Sequence, residues 1–480
     1  MLVAKAKSAV LWSGADIFLK NGLQFGVSIA LARLLSPEEF GTVALLYFFL
    51  GIGGAFVDSG LSSALIQKRE VTSTDESTVF WFNLSVGSLV ALALWAAAPA
   101  IAAFYHLPVL APLTRVMALN IVLGALGSIH GTLLSKRLDF RTQMKISGLA
   151  TVCSGTVAVA MAWNGFGVWA LVAQTLTATV ATTALLWAFS PWRPSWTFSL
   201  ASARRLFGFG GYLLASQMLY TAYSRVYTLL IGKYFSTREL GFYERANSTQ
   251  QLPASLLSVV MGRVSLPLFS EAAQDKSRLR RGMQLALRGM MLLNVPAMFG
   301  IAATAEPLLL TLFGAQWLPA VPLLRVLCLG GVFWPLHGIN LSVLMAQGHS
   351  HLYFYLEIVK TALGLLFLAA GSLFGVKGIA WGVGCYGAVG FVINAHYTQR
   401  HLGYGALAQL RDFLPIIAAS IPMALGVYEL GEYWHVAPGI KLVAQVVTGV
   451  TGFLLTGWLV KLAALRDAVS LLRQQKAVVA

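Results

Sequence analysis

Apolar residues fall along this chain in long blocks, not in alternation. Stretches of mostly apolar residues recur from end to end, near 10–33, 40–65, 77–103, 112–134, 146–163, 166–189, 206–231, 240–268, 286–310, 320–345, 353–373, 378–399, 412–431 and 440–461. A bilayer core about 30 Å thick needs roughly 20 apolar residues per helix. Each block therefore predicts a membrane-spanning helix, fourteen in all. The period-2 alternation of an outer-membrane barrel is absent.

Polar residues inside the blocks are ordered too. The first span carries Ser13, Asp16, Lys20, Gln24 and Ser28, with Asn21 beside them, at spacings of three and four that share one helix face. The seventh carries Gln217, Thr221, Ser224, Arg225 and Thr228. The eighth carries Glu244, Asn247, Ser248, Gln251, Ser255 and Ser258, with Arg245 at its outer end and Arg263 nearer the opposite end. The second adds Asp58, Ser59 and Ser62. A charge facing lipid near the bilayer centre costs about 3 kcal/mol or more, so the stripes are expected to face one another or water. They predict a polar cavity holding Lys20, Arg225 and Arg263, with Gln24, Arg245, Asn247 and Gln251 as further substrate contacts and Asp16 and Asp58 as coupling candidates. An alternative stands for each residue singly: Asp16 and Lys20 form an i,i+4 ion pair, and the hydroxyl and amide groups only join helices. Glu357 and Lys360, three apart, read as an intrahelical pair, and Arg115 and Arg325 as snorkelling span ends. Pro253, Pro267, Pro296 and Pro335 predict kinks.

The chain also repeats itself. "ARLLSPEEFGTVAL" at Ala32 is echoed by "GKYFSTRELGFYER" at Gly232, so that Ser36 meets Ser236, Glu39 meets Glu239 and Gly41 meets Gly241. "GLSSALIQ" at Gly60 resembles "GRVSLPLF" at Gly262, and "GFGVWALV" at Gly165 resembles "GVKGIAWGV" at Gly375, each of the last two a tight outer turn. Six spans separate the copies, and an even number returns the chain to the same side, so the halves run parallel. The predicted fold class is all-α integral membrane: an N-terminal six-helix lobe (1–190), a linker (191–205), a second six-helix lobe (206–400) related by pseudo-twofold symmetry, and a final helix pair with its tail (401–480).

Composition agrees. The 480 residues are 57% hydrophobic and 11% charged, with mean hydropathy +0.73, where soluble chains carry about 25% charged residues. The net charge of +16 resembles a nucleic-acid binder's, but its placement says otherwise. With the N-terminus inside, inner loops and tails hold twenty-two Lys and Arg, while outer loops hold five, Arg33, Lys233, Arg238, Lys377 and Lys441. That bias predicts cytoplasmic termini and assigns the charge to topology and anionic lipid, not to nucleic acid. The stretches "SEAAQDKSRLRRGMQLALR" and "KLAALRDAVSLLRQQK" read as amphipathic segments on the inner leaflet. Cys153, Cys328 and Cys385 all lie in apolar blocks, so no disulfide framework is expected. His349 and His351 have no carboxylate or Cys partners, so no metal is expected, and without a Walker motif no nucleotide or other cofactor is expected either.

The stretches "ARLLSPEEFGTVAL", "SSALIQKREVT" with "TVFWFNLSVG", "GFGVWALV", "TLLIGKYFSTRELGFYERA" and "GRVSLPLFS" resemble the polysaccharide transporter branch of the multidrug/oligosaccharidyl-lipid/polysaccharide (MOP) exporter superfamily, in particular Wzx-type exporters of the colanic- and teichuronic-acid kind. The resemblance covers roughly residues 1–400. It implies two six-helix lobes around a cavity open alternately to either leaflet. It implies an undecaprenyl-diphosphate-linked oligosaccharide as substrate, moved across a bacterial inner membrane, with membrane lipid and the polymerase and export machinery as partners. By helix position it offers Lys20 and Arg263 as cations for the diphosphate. Many relatives carry an Asp shortly before the "LLIG" run, where this chain has Arg225-Val-Tyr227, so that acid's role does not transfer.

Two rivals carry different signatures. A cation-coupled drug exporter of the same superfamily would want central acids, and here only Asp16 and Asp58 qualify against several cations. A membrane-embedded polysaccharide-assembly enzyme would want a large outer loop with catalytic residues, and every outer loop is about a dozen residues or fewer. A transporter, not an enzyme, is the expectation.

Overall fold

The computed structural model describes residues 2–58, 61–68, 71–207, 214, 218, 221, 224–271, 275–347, 350–434 and 436–467. Among these, the regular structure is helical: α1 (Leu2–Leu34), α2 (Pro37–Asp58), α3 (Leu61–Gln67), α4 (Ser73–Tyr105), α5 (Leu110–Lys136), α6 (Phe140–Trp163), α7 (Val168–Phe189), α8 (Val226–Tyr234), α9 (Thr237–Glu271), α10 (Lys276–Ala303), α11 (Ala305–Leu312), a 3₁₀ turn (Ala315–Ala320), α12 (Val321–Gly331), α13 (Trp334–Ala346), α14 (Ser350–Ser372), α15 (Gly375–Leu402), α16 (Ala406–Tyr433) and α17 (Pro438–Leu459). Eleven segments among the described residues are long and apolar enough to cross a membrane. They match the second to sixth and ninth to fourteenth predicted spans. The other three predicted spans touch residues or side chains outside the description, and α1, α8 and α9 lie on them.

Local chemistry sets the helix ends. Thr72 opens α4 with a capping box: Asp75 N–H donates to Thr72 Oγ1 at 3.2 Å, and Thr72 N–H returns a bond to Asp75 Oδ2 at 3.1 Å. Asp139 caps α6 through Thr142 N–H at 3.1 Å, and Asp275 caps α10 through Ser277 and Arg278 N–H at 2.9 and 3.0 Å. The Arg278 N–H and the Ser277 hydroxyl hold the Asp275 carboxyl below the usual Asp range. Gly165 and Gly375, matched by the repeat, both take the left-handed backbone at φ 78° and 76°. A side chain there would be strained, so the same conformational demand recurs at both turns.

In the tenth predicted span the interruption expected at Pro335 is a full break, not a bend. The span is broken at 332–333 into α12 and α13. Pro335 sits in the first turn of α13 and has no N–H for the Gly331 carbonyl four residues back. Asn294 of α10, fully buried, donates there instead: its Nδ2 lies 3.1 Å from Gly331 O and 3.3 Å from Val332 O. The break is stitched by a neighbour, as a helix interruption inside a membrane requires.

The chain divides into two compact units, Met1–Gly241 and Phe242–Ala480. In the first, α4 packs on α5 and α1 on α6, with α6 also on α7. The 190–202 linker is tied to the start of α4: Ser195 N–H donates to Ser77 Oγ at 3.1 Å, Trp81 Nε1 to Ser195 O at 2.9 Å, and the Trp196 ring stacks on Trp81 at 4.8 Å. Asp75 gathers Lys68 Nζ at 2.5 Å and the Ser202 hydroxyl. In the second unit, Arg288 of α10 bonds Asp412 of α16 at 2.5 Å and Asp467 at 3.4 Å, while the Tyr404 hydroxyl donates to Asp412 at 2.6 Å. The final helix pair is thereby fastened to α10. Burial and that bond push the Tyr404 phenol well above its ordinary pKa, so it stays a donor.

Candidate functional site

Two echoed motifs meet in space. Ser36 opens α2 with a capping box, its N–H donating to Glu39 Oε2 at 2.7 Å and its Oγ accepting from Glu39 N–H at 3.4 Å. Ser236 repeats half of the arrangement before α9, its Oγ accepting from Glu239 N–H at 3.1 Å. The Gly41 and Gly241 backbones then approach so closely that a Cβ on Gly41 would strike the Thr237 carbonyl oxygen, and one on Gly241 would strike that of Pro37. Each copy's glycine lies against the other copy's backbone. The Gly165–Gly167 turn also reaches this point, since a Cβ on Gly167 would strike the Glu39 carboxylate.

On α1, Asp16 accepts a hydrogen bond from the Ser147 hydroxyl of α6. α1 lies tight on α6, where a Cβ on Gly155 would strike Val27. With that side committed, Lys20 and Gln24 are exposed and Asn21 is half-buried. Lys20 stands near the middle of the 33-residue α1.

The seventh predicted span, 206–231, is interrupted at Arg225. This half-buried residue sits in a turn and is the N-cap of α8, with φ −118° and ψ 3°, and makes no side-chain cap bond. Thr228 N–H closes the first turn on Arg225 O at 3.0 Å. α8 lies along α2, its Gly232 tight against Leu45. A guanidinium at a helix N-terminus adds its charge to the positive end of the helix dipole, and both favour an anion.

In the second unit, α9 presents Asn247 and Gln251 as a bonded pair, Gln251 Nε2 to Asn247 Oδ1 at 3.1 Å, with Gln251 exposed. Arg245 is placed differently from its stripe-mates. Only 6% exposed, its guanidinium lies over Phe313 at 4.5 Å and Trp317 at 4.8 Å, at the turn after α11. The backbones of Asp58 and Arg263 lie on α2 and α9, but their side chains, like His349 and the side chain of His351, lie outside the described residues. Lys360 and Glu357 pair at 2.5 Å as their spacing predicts.

Sequence reasoning missed two buried polar clusters. Asn340, Thr398 and Gln409 bond one another at 2.7–3.2 Å across α13, α15 and α16. His337 of α13 sits between Gly387 O at 3.0 Å and Asn394 Nδ2 at 3.1 Å. Only spacing within one helix is visible in sequence, and these partners come from different helices. The pairs His337/Asn340 and Asn394/Thr398, three and four apart on their helices, were the available signals.

Eleven helical segments long and apolar enough to cross a membrane define a multi-pass membrane protein. A sequence profile described as "polysaccharide biosynthesis protein" matches residues 30–322, and the chain belongs to that family. It is 33% identical over 369 residues to the succinoglycan biosynthesis transport protein ExoT of Rhizobium meliloti, covering 75% of this chain and 73% of that one. It is 28% identical over 409 residues to the teichuronic acid biosynthesis protein TuaB of Bacillus subtilis, covering 83% and 84%. In fold it is similar to the lipid II flippase MurJ in an inward closed conformation, with TM-score 0.76 at 15% identity over 93% of this chain and 98% of that one. It is also similar to an inward-facing MATE multidrug transporter of the MOP superfamily, with TM-score 0.63 at 16% identity over 80% and 94%.

Proposed function

We propose that the protein flips undecaprenyl-diphosphate-linked oligosaccharide repeat units from the inner to the outer leaflet of a bacterial inner membrane, for exopolysaccharide or lipopolysaccharide assembly. The observation that carries this reading is the pair of cations in one unit: Lys20, exposed on α1, and Arg225, at the N-terminus of α8. A diphosphate bearing sugars cannot enter hydrocarbon unaided. Lys and Arg give its oxygens charge-assisted bonds, while Gln24, Asn247 and Gln251 suit sugar hydroxyls. The relatives' names, tied to succinoglycan and teichuronic acid, favour a polysaccharide precursor over a drug. The repeated halves suit alternating access of a central cationic cavity, with two six-helix lobes, cytoplasmic termini, Arg263 as a third cation and Asp16 and Asp58 as coupling acids. Membrane lipid holds the polyprenyl tail, and a polymerase receives the product outside. The protein acts as a transporter and breaks no bond.

Equilibrium binding of an undecaprenyl-diphosphate disaccharide to the purified protein tests the site. Arg225→Ala should weaken binding at least tenfold, and Arg225→Lys should restore part of it. Equal affinity in wild type and Arg225→Ala would remove Arg225 from the site.

A further inference from the structure

One buried charged cluster in the second unit has no structural reason to be there. Lys360, near the midpoint of the 23-residue α14, is 3% exposed and pairs with Glu357 at 2.5 Å. Both residues are on the same helix, so the bond ties no two elements together. A buried ion pair is commonly no more stabilising than apolar residues of the same volume, and an ionisable group inside a membrane marks a functional site by default. The pair is also lopsided: the Glu357 side chain is 29% exposed and that of Lys360 4%. One end meets the surroundings and the other is sealed.

The sealed end adjoins His337. Gly390 of α15 separates them, since a Cβ there would lie 2.7 Å from His337 Cε1 and 3.6 Å from Lys360 Cδ. His337 Nε2 faces Gly387 O at 3.0 Å, which fixes the neutral tautomer with the proton on Nε2, and Nδ1 accepts from Asn394 Nδ2 at 3.1 Å. Asn394 is fully buried, and its Oδ1 has no hydrogen-bond partner. Turning that amide by half a revolution would bring this vacant acceptor to Nδ1 and let the imidazole hold a second proton. The Tyr386 ring stacks over the imidazole at 6.4 Å. From the other neighbours of α13, α10 contributes the Asn294 stitch, its Arg288 being held by Asp412 and Asp467, and Arg325 of α12 lies over Tyr428. His337 stands just after the α12–α13 break, the kind of discontinuity at which carriers hold ions.

We infer that Glu357, Lys360 and His337 form a proton-binding site that couples proton movement to the conformational cycle. The inference rests on the transport reading proposed above. A proton from water adds to the Glu357 carboxylate, forming an O–H bond and dissolving the ion pair. The cluster passes from net zero to net +1, carried by the Lys360 ammonium beside His337, and this uncompensated buried charge disfavours the packed arrangement. Release of the same proton to water after the change restores the pair.

Two measurements on protein in phosphatidylethanolamine/phosphatidylglycerol vesicles test this. Infrared difference spectra during a pH titration should show a protonated-carboxyl stretch in wild type that Glu357→Gln removes. Flipping of an undecaprenyl-diphosphate disaccharide should respond at least tenfold to an imposed pH gradient, and Glu357→Gln should lose that response while retaining movement without a gradient. The double variant Glu357→Leu/Lys360→Met guards against misfolding: it should unfold at the wild-type temperature yet lose the gradient response. Retention of both the band and the response in Glu357→Gln would overturn the inference, as would an unaltered response in a well-folded double variant. Absence of flipping in wild type with the band present would leave the proton site standing and remove the transport reading instead.

Discussion

Gly41 and Gly241 are glycine because each faces the other copy's backbone, not because either bends the chain. Gly41→Ala and Gly241→Ala should each cost about 1–3 kcal/mol through overpacking against a carbonyl that cannot yield. Thermal unfolding in detergent reads this directly, and unchanged melting in both would mean the close approach is absent. Sequence showed that the motif is written twice but not that the copies touch. Glu357 and Lys360 were legible as a pair because helical spacing alone brings them together. The place of Arg245 was not, because Phe313 and Trp317 lie some seventy residues on and nothing local signals them. Trp317→Ala should cost about 3–5 kcal/mol, as for other large-to-small core changes. That loss should exceed the effect of Gln251→Ala, an exposed neighbour on α9, in the same assay.

Helices were easy to read and their interruptions were not. Twenty apolar residues announce a span whether or not the backbone is continuous, so the break at Arg225 was invisible, and Pro335 signalled a kink in the tenth span but neither the full break at 332–333 nor the amide that stitches it. Asn294→Leu should leave the Gly331 and Val332 carbonyls unbonded at a cost of about 1–3 kcal/mol. Hydrogen exchange should quicken in α12 and α13 and not in α4. The start of α10 carries its own pH dependence. The Asp275 carboxyl is held below its ordinary value, so its capping contribution is present above the unfolded Asp pKa near 3.9. It is lost as pH falls through the lower folded-state value. Amides of the first turn of α10 should lose protection in acid before those of α5, whose N-cap Val109 makes no side-chain bond, and Asp275→Asn should remove most of that difference.

For the molecule as a whole, the sequence conveyed the helical membrane class, the family and the repeat, because each is written in periodicity, charge placement or motif. The structure added two compact units, a linker fastened to α4 and a final helix pair clasped to α10 by Arg288 and Asp412. Those long-range ties depend on side chains far apart in sequence. What the two cations do is the central claim. Flipping of a fluorescent undecaprenyl-diphosphate oligosaccharide should be followed in proteoliposomes with wild type, Lys20→Ala and Arg225→Ala at matched protein levels. The account predicts transport by wild type and a loss of at least tenfold in each variant. Wild-type rates in both variants, or efflux of an organic cation in place of lipid movement, would contradict it.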